Sequence, residues 1–181
     1  MSERQLPRRA RERASQRGIS AVNAAVAFAL AGSLLAVAVP AFMRELHSSR
    51  FAEPTSGLAR IGASAIAYAQ DRPASDAFPA PSPLTPTSPP RGTREVDPPG
   101  TWDTATWQAL QFRPVPEGEA HSFAFGFDSM RVPGASKFVA HAHGDLNGNG
   151  ITSTFELRGR AVADEAAPVL EPSIYVQDEI E

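Results

Sequence analysis

The sequence predicts an α+β protein: a long N-terminal helix, partly transmembrane, packed on a small C-terminal antiparallel β-sheet. Three observations carry this expectation. An uncharged apolar stretch runs from Ile19 to Met43 and continues beyond it at helical spacing. Nine prolines then crowd residues 73–99. The last third of the chain alternates apolar and small or polar residues with a period of two. The expected organisation is a basic leader over 1–18 and a helix over 19–70, apolar to about 43. A Pro-rich loop over 71–100 and a β-rich extracytoplasmic domain over 101–181 follow.

The apolar stretch contains one proline, Pro40, and follows a leader holding six arginines against Glu3 and Glu12. Its 25 residues as a helix span about 37 Å, enough for a hydrocarbon core of about 30 Å with some tilt. Arginines on the N-terminal flank keep that end in the cytoplasm, so the chain after Arg44 is expected outside it. A cleaved secretory signal is shorter and ends in a small-x-small site. Ala36-Val37-Ala38 offers such a site, but the run is long and continues as Arg44-Glu45-Leu46-His47. A plain signal anchor is the bland reading.

Arg17-Gly18 followed by Ile19, with Pro40 about twenty apolar residues on, resembles the start of type IV pilins and type II secretion pseudopilins. The resemblance covers about the first 53 residues closely, and the rest only in layout. It implies cleavage between Gly18 and Ile19 by a prepilin peptidase and N-methylation of Ile19. Pro40 is then the helix kink, and a pilin-like roll the fold. One position departs from the family. The fifth residue of the mature chain, usually Glu, is Asn23. A neutral amide is cheaper to bury than a carboxylate, but it can only hydrogen-bond. Asn23 therefore permits helix packing while weakening a charge-based register, which puts a role as the major repeating subunit in doubt.

Beyond the apolar stretch, Leu46, Phe51, Leu58, Ile61, Ala65 and Tyr68 recur at helical spacing, with a kink or short break expected at 52–57 from Pro54 and Gly57. The Pro-rich segment reads as semi-extended coil, an exposed linker before anything else, with a docking or glycosylated patch as the other reading. Strands are expected over 121–127, 136–143, 154–162 and 173–177. Trp102, Trp107, Leu110 and Phe112 supply apolar cover between sheet and helix.

Asp145 to Glu156 satisfies the calcium-loop pattern D-x-[DN]-x-[DN]-G-x5-E, with Asp145, Asn147, Asn149, Ile151, Ser153 and Glu156 as ligands. Asn-Gly-Asn-Gly between two strands is equally a hairpin turn. Both readings stand, with calcium the one conditional cofactor, bound at the weak extracellular end of its range. His141 and His143 share one side of a strand. That spacing can chelate zinc or copper, but the local sequence offers no third ligand, so the pair reads as an exposed polar face.

No nucleophile, metalloprotease or phosphate-loop motif is present, and no enzyme is expected. Removing the leader's six arginines and two acids from totals of 17 and 20 leaves 11 and 18, net −7. That balance argues against nucleic acid as a partner. The expected partners are the membrane, the peptidase and other pilin or pseudopilin subunits. The precursor is expected in a bacterial inner membrane, its C-terminal domain periplasmic and its mature form in a pilus or pseudopilus. The alternative is an uncleaved, membrane-anchored periplasmic binding module that works through the calcium-like loop.

Overall fold

A computed structural model describes residues 20–178, with side chains outside 43–50. The chain divides into two compact units, Met1–Leu46 and His47–Glu181. A single helix, α1 (Ala21–Ala69), contributes to both. Its start is set by Ser20. The Ser20 carbonyl accepts the Ala24 N–H at 3.0 Å and the Ser20 Oγ accepts the Asn23 N–H at 3.2 Å, which makes Ser20 the N-cap. The first unit's helix carries large apolar side chains on every side and runs unbroken through Pro40.

In the second unit α1 also runs without interruption through Pro54 and Gly57, so the break expected at 52–57 is absent. Local rules lose here to side-chain and tertiary bonds. Thr55 Oγ1 donates to the Phe51 carbonyl at 2.5 Å and Ser56 Oγ to the Glu53 carbonyl at 3.2 Å. One Glu53 carboxylate oxygen accepts the N–H groups of Ser122 and Phe123 at 2.8 and 3.0 Å. Gly57 serves packing rather than flexibility, for a Cβ there would meet the Phe125 ring at 2.5 Å. The helix buries Leu58, Ile61, Ala65 and Ala69, spaced as one stripe. It reaches only Ala69 because Asp71-Arg72-Pro73 disfavours continuation.

The sheet onto which this stripe packs has three ten-residue strands at its centre: β4 (Phe123–Val132), β5 (Ala135–Gly144) and β6 (Ser153–Val162). All neighbours are antiparallel. On one side of the trio lies β1 (Ser82–Thr85), on the other β7 (Val169–Leu170) and β8 (Tyr175–Gln177), both on β6. A separate ribbon joins β2 (Glu95–Val96) to β3 (Ala120–His121). Inward positions alternate as the sequence pattern expects, burying Phe123, Phe125, Phe127, Phe138, Ala140, Ala142, Phe155 and Leu157.

Large residues face small ones across the strands. Phe123 pairs with Gly144, Phe125 with Ala142, Phe127 with Ala140, and Phe138 with Gly159. The rings occupy the space that a side chain on the opposing glycine would take. Phe127 and Phe138 stack at 5.2 Å, and Phe78 closes edge-on over Phe138 at 4.8 Å.

The linker reading of the Pro-rich segment is corrected. Ala77 and Phe78 are fully buried in the core. β1 is an edge strand, where Pro83's missing N–H is tolerated. Gly92 N–H donates to the Asp145 carbonyl at 2.7 Å. Trp102, Trp107, Leu110 and Phe112 are buried as expected. Trp107 sits on a short helix, α2 (Ala105–Ala109), within the region expected to be β-rich. Its indole N–H donates to Thr85 Oγ1 at 3.0 Å, tying α2 to β1.

Candidate functional site

The first candidate is the apolar helix. Ala21–Phe42 forms a 22-residue window of mean hydropathy 2.2, none of it buried within the protein. At 1.5 Å per residue it is about 33 Å long, matched to a bilayer core. Phe28 is 80% exposed and Val37 73%. A helix apolar all round is stable only where lipid or other helices surround it. Gly18 and Ile19 lie outside the described residues. Asn23 occupies the first turn, exposed, with its N–H on the Ser20 cap.

The second candidate is the Asp145 turn. Asp145 is 1% exposed, and its two carboxylate oxygens accept the N–H groups of Gly148 and Gly150 at 2.8 and 3.0 Å. Asn147 Oδ1 accepts the Asn149 N–H at 2.9 Å, and Asn149 Oδ1 the Ile151 N–H at 2.7 Å. The acid and both amides thus hold a turn in which Gly148 and Gly150 take positive φ. Gly92 packs directly on Gly148, which brings the Pro-rich segment against the same turn. Ser153, also buried, donates to the Gly144 carbonyl at 3.1 Å. Glu156 is not gathered with them: three residues past Ser153 on β6, it faces the opposite side of the sheet. There its carboxylate accepts from Arg158 at 2.7 Å. Among the described residues no three His, Asp or Glu side chains are gathered as a metal would require.

The third candidate is the outer face of the sheet. His141 lies over Gly126, its cross-strand partner, in space that any side chain at Gly126 would fill. Its Nδ1 faces Asp128 Oδ2 at 3.6 Å. His143 Nδ1 shares a hydrogen bond with Thr154 Oγ1 at 2.9 Å, and the two imidazoles stand 5.2 Å apart. The pair is half-buried rather than freely exposed, with only 17% of the His141 side chain accessible. Burial lowers the pKa of His141 below 6.5, against the opposing pull of Asp128 and Glu156. Burial and then the neighbouring His141 lower that of His143, against Glu156 and a hydrogen bond that the ring donates to the Ser153 backbone.

Both folded-state values lie below the unfolded one, so the unfolded chain takes up more protons as pH falls. Stability of the His47–Glu181 unit should therefore be full above about pH 6.5 and decline as pH drops through that value. Replacing both histidines with glutamine should flatten the profile. Thermal melting from neutral to mildly acidic pH measures this, and an unchanged slope in the double variant would refute it.

A fourth cluster escaped the sequence reading because its members are far apart in the chain. His121, 1% exposed, has Nε2 at 2.7 Å from Asp97 Oδ2 and Nδ1 at 2.8 Å from the Phe123 carbonyl. The Trp102 indole N–H donates to the same Asp97 oxygen at 2.6 Å. These three side chains close the base of the segment between β2 and β3. No protein-family model, curated protein or solved structure matches the chain.

Proposed function

We propose that this chain is a type IV pilin-like or pseudopilin structural subunit. It is cut after Gly18 by a prepilin peptidase, methylated on Ile19, and assembled into a pilus or pseudopilus through its apolar helix. The α+β unit is then read as a pilin-like roll. The precursor sits in an inner membrane with its leader cytoplasmic and its sheet unit periplasmic. One observation carries this reading: a 22-residue helical window, uncharged, apolar but for Asn23 and Ser33, and unburied, is continuous with a helix that supplies the core stripe of a folded unit. Such a helix suits storage in lipid and then burial among copies of itself, where small residues such as Ala24, Ala25, Ala31 and Gly32 allow close approach.

The mass of the mature N-terminus tests the reading. A chain beginning at Ile19 supports it, and Gly18→Leu should then accumulate as uncut precursor. A chain that keeps Met1, or begins after an alanine near residue 38, rejects it in favour of an anchored or secreted binding module.

A further inference from the structure

We propose that Asn147 and Asn149 are a deamidation site held in check by the buried Asp145 carboxylate. Of the chain's three asparagines, these two precede glycines, and both dipeptides sit on one exposed turn. Asparagine before glycine is especially prone to this reaction, because glycine puts no Cβ in the way of its own nitrogen. The Gly148 nitrogen attacks Cγ of Asn147, and the Gly150 nitrogen does the same at Asn149. An N–Cγ bond forms, the Cγ–Nδ2 bond breaks, and the glycine's amide proton leaves with the side-chain NH2 as ammonia. Water, the only co-reactant, then opens the cyclic imide. Cleavage of the new N–Cγ bond gives aspartate. Cleavage of the bond between that nitrogen and the main-chain carbonyl carbon gives isoaspartate.

The attacking atoms of both reactions are the two that Asp145 holds. Gly148 N–H donates to Asp145 Oδ1 at 2.8 Å and Gly150 N–H to Oδ2 at 3.0 Å. A peptide nitrogen becomes a nucleophile only on losing its proton, and a carboxylate is far too weak a base to remove it. The charged acceptor therefore stabilises the unreactive N–H form. Asp145 is 1% exposed, so solvent competes little for its oxygens. The asparagine amides are engaged as well, Asn147 with the Asn149 N–H and Asn149 with the Ile151 N–H. Conversion has a structural consequence. Isoaspartate adds one atom to the main chain where Gly148 packs on Gly92, so closely that a Cβ on Gly92 would lie 3.3 Å from the Gly148 Cα. Gly92 N–H donates to the Asp145 carbonyl, so the turn and the Pro-rich segment against it loosen together. Either product also sets a further negative charge near Asp145, which disfavours the ionised carboxylate.

The test is ageing of the full chain in detergent micelles at mildly alkaline pH, beside the same chain unfolded in urea. The tryptic peptide from Phe138 to Arg158 carries both asparagines. Its mass and its electron-transfer fragments report aspartate and isoaspartate separately at each position. Both positions should convert at least about tenfold more slowly in the folded chain, the factor that one hydrogen bond to a charged group amounts to. Asp145→Ala should remove that protection at both positions. Asp145→Asn, whose amide keeps one acceptor oxygen, should remove it at one. Tryptophan fluorescence checks that each variant folds. Where one does not, amide hydrogen exchange in the unaltered chain decides, and Gly148 and Gly150 should both be protected. Equal rates in the folded and unfolded chain overturn the proposal. So do unprotected glycine amides, or a folded Asp145→Ala chain that converts no faster than the unaltered one.

Discussion

Asp97→Ala is expected to cost the His47–Glu181 unit about 3 kcal/mol, because it strands two buried donors at once. One Asp97 oxygen serves both His121 Nε2 and the Trp102 indole. His121 also has its other nitrogen on the Phe123 carbonyl, so both ring nitrogens face acceptors. With the carboxylate gone, a nearly inaccessible imidazole loses the partner that compensates its burial. Asp97→Asn should cost less, since an amide oxygen can still accept from the indole. Urea unfolding followed by tryptophan fluorescence reports on this directly, because both tryptophans, Trp102 and Trp107, belong to this unit. A loss below about 1 kcal/mol, the size of an ordinary hydrogen bond, would show that the cluster is incidental.

Phe125→Ala should cost about 3–5 kcal/mol, the range for emptying a buried aromatic site. Phe125 is wholly inaccessible and sits where three elements meet: on Gly57 of α1, edge-on to Phe112 at 5.2 Å, and near Trp102 at 6.3 Å. The reciprocal change is informative. Gly57→Ala gains about 1 kcal/mol in helix propensity, but places a methyl 2.5 Å from the Phe125 ring. Overpacking of this kind costs about 1–3 kcal/mol, so the net change should be destabilising. Combining Gly57→Ala with Phe125→Leu should recover part of the loss. Additive effects in that pair would mean that the helix and β4 do not touch as described.

The strands that form the sheet's centre were legible where apolar and small or polar residues alternate. β4 runs on past the expected end at 127 to Val132, through Asp128-Ser129-Met130-Arg131, which carry no such pattern. Phe123, Phe125 and Phe127 can share a side only in an extended chain, and the same holds for Phe138, Ala140 and Ala142. Of the short edge strands, β8 falls inside the strand expected over 173–177, while β1 and β7 were not legible. β1 carries prolines on both flanks and one inside, and β7 has two residues, so pairing defines them and no pattern announces them. At Pro54 and Gly57 the local rule forecast a kink or break, yet the helix runs without interruption past Glu53, Thr55 and Gly57. The Asp145 motif was visible as spacing, but two readings fit that spacing and only the geometry shows where Glu156 turns. The Asp97–His121 and Asp128–His141 pairs span 24 and 13 residues, and no short-range signal joins them.

The pairing of rings with glycines and alanines has one more consequence. A strand that slides by two positions keeps its greasy side inward, so polarity alone does not prevent that error. In this sheet shape does. Moving β4 by two against β5 would set Phe127 opposite Phe138 in one direction and Arg131 opposite Phe138 in the other, and a like shift of β5 on β6 would press Phe138 against Leu157. The alternation of bulk thus acts as a ratchet on alignment, letting a sheet with short, proline-marked borders settle into a single arrangement as it forms.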